Sequence, residues 1–403
     1  MKVLYIVHSV NMSEGATKSF LTLLDGLVKR GVEPHVITPG KQGLYAVLHR
    51  KGIAVMALNY RLGVFPNFNS MKDRLLFLPR LMARRFLEYK TIRAIVGYCK
   101  HNDIELIHTN VSVVTCGLVA ATKLNIPHVL HAREYADLDF NLHYYPSPMA
   151  FYKRVNVENS YTICITKGIQ RHHHFLPSRS RVIYNGVVID SVSSVPSSMP
   201  DMGNPYFLFV GRIEQSKGVC QVVEAFNQYC KERTDKNVVL KIAGEITQKA
   251  YYDEVSSFVR ECGIQGKVEF MGNRRDIDSL MQHALAVIVA SPSEAFGRCL
   301  PEAMLNHCLT IGRNTAGTKE QYDNGLAVCG GDIGLRYGTS QELTLRMHEV
   351  TDTPPMAYAV MKDNAFRVVL QLYSKDAYVD GVFSFYQEIQ SKCSRTTSSI
   401  KYD

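Results

Sequence analysis

The chain has 403 residues, 46% hydrophobic and 21% charged, a composition that fits a globular enzyme with two cores and excludes a disordered or fibrous protein. No run of eighteen apolar residues offers a membrane-spanning helix. The ten cysteines are scattered without a C-x-x-C pair, which argues for a reducing compartment and against a disulfide framework or a zinc site. The net charge of +9 is unevenly placed. Through residue 190 there are 24 Lys+Arg against 12 Asp+Glu, and beyond it 22 against 25, so the first half is suited to an anionic surface or polymer.

The opening run, MKVLYIVHSV, has one Lys, a short apolar core and no small-residue cleavage site; it reads as a first strand rather than a signal peptide. SFLTLLDGLVKRG follows with helical periodicity and ends on Gly31, suited to the position after a helix. PHVITP, GIAVMALN, ELIHTN, HVLHAR, YTICIT and RVIYNG are short β-rich runs, most of them separated by helical stretches. Such alternation predicts a parallel, doubly wound sheet. Residues 191–205 are rich in Ser and Pro and are expected to link two domains. A second series follows: YFLFVG, NVVLKIAG, KVEFMG, ALAVIVAS, LTIGRN and LAVCG. The chain from about Tyr358 looks helical, with its last ten residues expected to fray. The expected domains are therefore 1–190 and 206–375, with 376–403 a terminal helix packing back on the first. Ligands of such sheets bind outside the carboxyl ends of the strands.

Two segments carry chemistry. The strand YFLFV leads into GRIEQSKG at 211–218, which puts Arg212 and Lys217 on a strand-to-helix loop where two cations can hold a diphosphate. A solvated basic loop is the plain alternative. The strand AVIVA leads into SPSEAFGRCLPEAM at 291–304, where Glu294 and Glu302 flank a turn at Phe296-Gly297 and a helix expected to begin near Pro301. Carboxylates beside a phosphate-attracting helix N-terminus suit hydroxyls on either side of a diphosphate, as in a nucleotide-sugar. Taken alone, Glu302 reads equally as a first-turn glutamate favoured by the helix dipole.

With AGE at 243–245, VEFMGNRRD at 268–276, TAGTKE at 315–320 and VIYNGVVID at 182–190, these segments resemble the family 4 retaining glycosyltransferases of GT-B fold. The resemblance implies two Rossmann-like domains facing across a cleft. It gives Arg212 and Lys217 to the donor diphosphate, Glu302 to the ribose, Glu294 with the Phe296 and Gly297 amides to the transferred sugar, and Gly272-Asn273 to the base. SEGATKSF at 13–20 is similar to the family's glycine loop, with Gly15 closing over the phosphates. PHVLHAREYAD is similar to the strand that ends in a catalytic pair at the cleft, a place that falls by spacing on Arg133 and Glu134, with His131 two residues earlier. His131 reads on its own as a buried, hydrogen-bonded histidine.

The implied reaction moves a sugar from a UDP- or GDP-sugar to a hydroxyl of a glycan or lipid-linked oligosaccharide, with no cofactor, no metal and no nucleic acid. The chain has no Asp-x-Asp before a strand end to carry Mg²⁺, and adjacent His172, His173 and His174 point different ways on a helix and cannot share one ion. Residues 61–100 hold nine basic residues, with Leu, Met and Phe between them, and only Asp73 and Glu88 as acids. They read as an in-plane membrane helix or as a core-facing helix with a solvated basic face. The first reading gives a cytoplasmic protein peripheral at the inner face of a cell membrane, in bacterial surface polysaccharide synthesis. A nucleotide-sugar epimerase or a non-catalytic nucleotide-sugar binder fits the same scaffold, whereas a dinucleotide oxidoreductase is disfavoured because G-x-G-x-x-G is missing after strand one.

Overall fold

A computed structural model describes residues 1–65, 70–188 and 204–399, with side chains to residue 393. It divides into two units, Met1–Gly186 with Lys375–Asp403 and Val187–Ser374. The expected linker at 191–205 lies almost entirely outside the described residues, as do the last four residues of the expected frayed end.

The first unit is built on strands β1 (Lys2–Ile6), β2 (Glu33–Thr38), β3 (Ala54–Ala57), β4 (Leu106–Thr109), β5 (His128–Ala132), β6 (Ser160–Cys164) and β7 (Ser180–Val182). All pair in parallel in the order β3-β2-β1-β4-β5-β6-β7. Parallel strands are covered on both faces, so the central ones are buried without alternation; every residue of β4, β5 and β6 is buried. Helix Gly15–Lys29 buries Phe20, Leu23, Leu24 and Leu27 and is closed by Gly31 at φ 80°.

The last helix, Lys375–Ser399, belongs to this core through Tyr378, Val379, Val382, Phe385, Tyr386 and Ile389. Gly26 permits the approach, since a Cβ there would meet Val379 Cγ2 at 2.4 Å.

The second unit carries β8 (Tyr206–Val210), β9 (Val239–Ala243), β10 (Val268–Gly272), β11 (Ala286–Val289), β12 (Thr310–Arg313) and β13 (Leu335–Tyr337). The order is β10-β9-β8-β11-β12-β13, again parallel throughout. In both sheets the strand order reverses beside the first strand of the unit, between β1 and β4 and between β8 and β11. Those are the switch points where a crevice opens at the carboxyl edge.

One expected strand is helical. LAVCG is the end of helix Ala316–Cys329, closed by Gly330 at φ 67°, and the edge strand is Leu335–Tyr337, in register with Ile311–Arg313. A four-residue apolar run has no length to distinguish strand from helix end, and Leu326 is exposed.

Four histidines of the first unit, His108, His128, His131 and His173, are buried, and burial pushes each below its ordinary pKa, His128 to about 3 and His173 to about 4. They are neutral in the folded state and take up protons on unfolding. Stability is therefore expected to hold above the unfolded histidine value of about 6.5 and to fall below it, by about 1.4 kcal/mol per pH unit for each group. Thermal unfolding from pH 8 to 5 checks this, and His128→Gln should lower the slope by one proton. A slope unchanged in that variant contradicts it.

Candidate active site

Strands β8 and β11 are neighbours, with Phe207 opposite Ala286 and Phe209 opposite Ile288. Their C-terminal loops therefore leave the sheet side by side at the switch point. The β8 loop runs through Arg212 to a single turn, Gln215–Lys217, before helix Val219–Glu232. The β11 loop carries Glu294 and turns at Phe296-Gly297 into helix Cys299–Leu305. This helix begins two residues before Pro301.

The loops meet in an ion pair, Lys217 Nζ to Glu294 Oε2 at 2.7 Å, across 77 residues of chain. Burial alone would raise the Glu294 carboxyl; the positive charges of Lys217 and Arg212 and hydrogen bonds from Lys217 and Ser291 outweigh it and hold it below its ordinary value. Arg212 is half exposed and pairs with Glu214 at 3.0 Å. Glu302 pairs with Arg298 at 3.0 Å, one helical turn back. Between the two glutamates lies the Cys299 thiol, pushed well above its usual range by burial first and then by Glu302 and Glu294.

The turn itself is held from behind. Gly297 has φ 77°, and a Cβ there would meet Glu294 Cγ at 2.9 Å. Gly317 donates its N–H to the Glu294 carbonyl at 2.8 Å, beside Ala316, a non-glycine at φ 44°. Buried Gln321 donates to the carbonyls of Phe296 and Gly297.

Gly272 ends β10 at the same sheet edge, with φ 63° and its carbonyl on the Gly244 N–H, and Asn273 follows it. Arg212, Lys217, Gly272, Asn273, Glu294, Phe296, Gly297 and Glu302 are thus gathered at one carboxyl edge. Sequence reasoning missed Arg298, readable from its i, i+4 spacing to Glu302, and Gln321, one residue past TAGTKE.

The remaining candidates belong to the first unit. Gly15 opens the helix after β1, and the loop before it is tied by Glu14 to Ser9 at 3.0 Å and to His8 at 3.1 Å. Arg133, Glu134 and His131 follow or end β5, and all are buried. Glu134 accepts from the Ser112 N–H and Oγ, both at 2.7 Å, and from the Val113 N–H. Arg133 donates to Asn110, to Asn185 and, at 2.6 Å, to Tyr378 of the last helix. His131 Nδ1 lies 3.2 Å from both His108 Nε2 and Arg133 Nη2, while its Nε2 is buried without a partner among the described residues. The side chains of Arg133 and Glu134 are thus engaged within the fold of this unit. His172 pairs with Asp137 and His173 with the Glu134 carbonyl, in different directions. Among the described residues no group of His, Cys, Asp or Glu is placed to hold a metal ion.

Two family models match, Glycosyltransferase Family 4 over residues 13–191 and Glycosyl transferases group 1 over residues 194–331, which together span most of the chain. The chain belongs to the family 4 glycosyltransferases. Its two-domain α/β fold of GT-B type is shared with a glycosyltransferase from Rickettsia africae ESF-5, at TM-score 0.76 and 18% identity over 96% of this chain and 98% of that one. It is likewise shared with Anabaena HepE in complex with UDP-glucose, at 0.70 and 20% over 98% and 100%. WaaG, a glycosyltransferase involved in lipopolysaccharide biosynthesis, gives 0.65 and 14% over 94% and 98%. Among curated proteins no sequence matches this chain. In this glycosyltransferase, Gln321→Leu should strip the Phe296 and Gly297 carbonyls of their donor and cost about 1–3 kcal/mol, read as a lowered thermal midpoint. An unchanged midpoint would show that the turn holds itself.

Proposed function

We propose that this glycosyltransferase is a metal-independent, retaining hexosyltransferase. It takes its sugar from a nucleotide-diphosphate donor and passes it to a hydroxyl of a glycan or lipid-linked oligosaccharide. The observation that carries the reading is the meeting of Lys217 with Glu294 at the switch point, with Arg212 beside them and the Arg298–Glu302 pair one turn further on. Cations there suit the diphosphate, and carboxylates suit hydroxyls on both sides of it. Complexes of HepE with UDP and with UDP-glucose support a UDP-hexose donor over a GDP-sugar. The lipopolysaccharide enzymes WaaG and WaaB among similar structures support a role in surface polysaccharide synthesis at the cytoplasmic face of a membrane.

The bond from the anomeric carbon to the diphosphate oxygen breaks as the acceptor oxygen bonds to that carbon on the same face. The acceptor proton passes to the departing phosphate oxygen, so no strong protein base is needed. Negative charge grows on the leaving group, and Lys217 and Arg212 are positioned to meet it. Preorganised groups of this kind are worth about a hundredfold or more in kcat each.

Lys217→Ala and Glu302→Ala are expected to reduce transfer by at least about a hundredfold with the thermal midpoint little changed. Normal turnover in both refutes the assignment. Transfer should persist in excess EDTA, and NMR of the product should show the donor's anomeric configuration. Strict metal dependence, inversion, or a changed sugar left on the nucleotide would each contradict the reading.

A further inference from the structure

The basic stretch forms helices Met71–Leu75 and Phe77–Asn102, with residues 66–69 outside the described residues. The second helix buries only Thr91, Ile92, Ile95 and Cys99, all in its C-terminal part. Its first turns and the short helix before it present Met71, Leu75, Leu78, Met82, Phe86 and Tyr89 to solvent, Leu75 at 78% exposure and Phe86 at 62%. These six follow one another at spacings of three and four, which is one face of a helix. Basic side chains flank the stripe, and Lys90 and Arg93 lie over the Phe86 and Tyr89 rings.

Beside the stripe is a small pocket, open to solvent. Its walls come from segments that follow β3 (Tyr60–Val64), β4 (Thr115, Cys116) and β5 (Tyr145), so it lies at the carboxyl edge of the first sheet. The strip 61–65 is stitched in place by Gly63 N–H to the Val113 carbonyl and Tyr145 N–H to the Gly63 carbonyl. Four arginines line the pocket, Arg61, Arg84, Arg85 and Arg154, against one carboxylate, Glu88. Glu88 is shared between Arg85 at 3.5 Å and the Thr115 hydroxyl at 3.4 Å. No acid pairs with Arg61 or Arg154 among the described residues. Burial, and then Arg61 and Arg80, hold the Arg84 guanidinium below its ordinary value. Guanidiniums crowded in this way are relieved by an anion with several acceptor oxygens, and phosphate fits their forked geometry.

We propose that this pocket binds the phosphate or diphosphate head of a membrane lipid while the stripe beside it lies in the bilayer. The arginines alone would serve a soluble phosphate equally well. The exposed apolar face on the same helix decides for a lipid, because basic residues flanking a buried apolar face are what an anionic interface selects. The proposal deepens the reading of a lipid-linked acceptor, resting on it only for which lipid is bound. Its test involves no sugar transfer, so the two fail separately.

The full chain is sedimented with phosphatidylcholine vesicles containing either phosphatidic acid, a phosphate monoester, or phosphatidylserine at matched surface charge. Wild type should bind the phosphatidic acid vesicles about tenfold more tightly. Arg61→Ser/Arg154→Ser should erase that preference, whereas Lys90→Gln/Arg93→Gln should weaken both bindings alike and keep it. Met82→Ser/Phe86→Ser should weaken both by about tenfold. Equal binding to the two anionic lipids overturns the proposal. So does inorganic pyrophosphate raising the thermal midpoint through Arg61 and Arg154 while Met82→Ser/Phe86→Ser leaves vesicle binding unchanged, since the pocket then serves a soluble anion. Self-association abolished by Met82→Ser/Phe86→Ser, without lipid binding, assigns the stripe to a second copy and overturns it as well.

Discussion

The ion pair between Lys217 and Glu294 is the constraint on which the donor-side account rests. It exists because β8 and β11 are neighbours at the point where strand order reverses, which brings two loops 77 residues apart to one edge. Neither partner is fully exposed, and Lys217 is among the groups that hold the Glu294 carboxyl below its ordinary value against its burial. Under the proposed reading, an anionic donor arriving at Lys217 would share it with Glu294 or displace Glu294 toward a sugar hydroxyl. Arg298 and Glu302 repeat this arrangement one helical turn away. Lys217 and Arg298 are therefore already paired in this structure, and under the proposed reading their fields would be released as a ligand takes the carboxylates into its own hydrogen bonds.

The first unit uses basic groups in two opposite ways. At the β5 terminus, Arg133 is buried and satisfied by Asn110, Asn185 and Tyr378, and its charge helps keep His108 and His131 neutral. The Tyr378 contact also ties the last helix to the sheet, next to the Tyr386 contact with His108. At the arginine pocket, by contrast, four cations line one site with a single carboxylate, Glu88, beside Arg85, while Arg84 donates to the Val64 carbonyl. A guanidinium that is satisfied holds a fold together, and guanidiniums left crowded ask for a ligand.

Much of this was legible in the chain. Central parallel strands are buried on both faces, so KVLYI, YFLFV and AVIV stand out as mostly apolar runs, and the loops after YFLFV and AVIV bring Arg212, Lys217, Glu294 and Glu302 to the expected edge. The LAVCG run misled because its apolar residues close a helix. The engagement of Arg133 and Glu134 was not legible, since most of their partners lie from 21 to 245 residues away. Nor does spacing reveal which way an amphipathic helix faces; the periodicity of Met71 to Tyr89 suits a core equally well, and only the fold shows it turned to solvent.

The most direct test of the central claim is a double-mutant cycle on UDP binding by the full chain, measured calorimetrically for wild type, Lys217→Met, Glu294→Gln and both together. The account predicts that Lys217→Met weakens UDP binding by about tenfold or more and that the two changes are coupled by at least about 1 kcal/mol, as for contacting charges. UDP binding unchanged by Lys217→Met, or strictly additive effects, would contradict it.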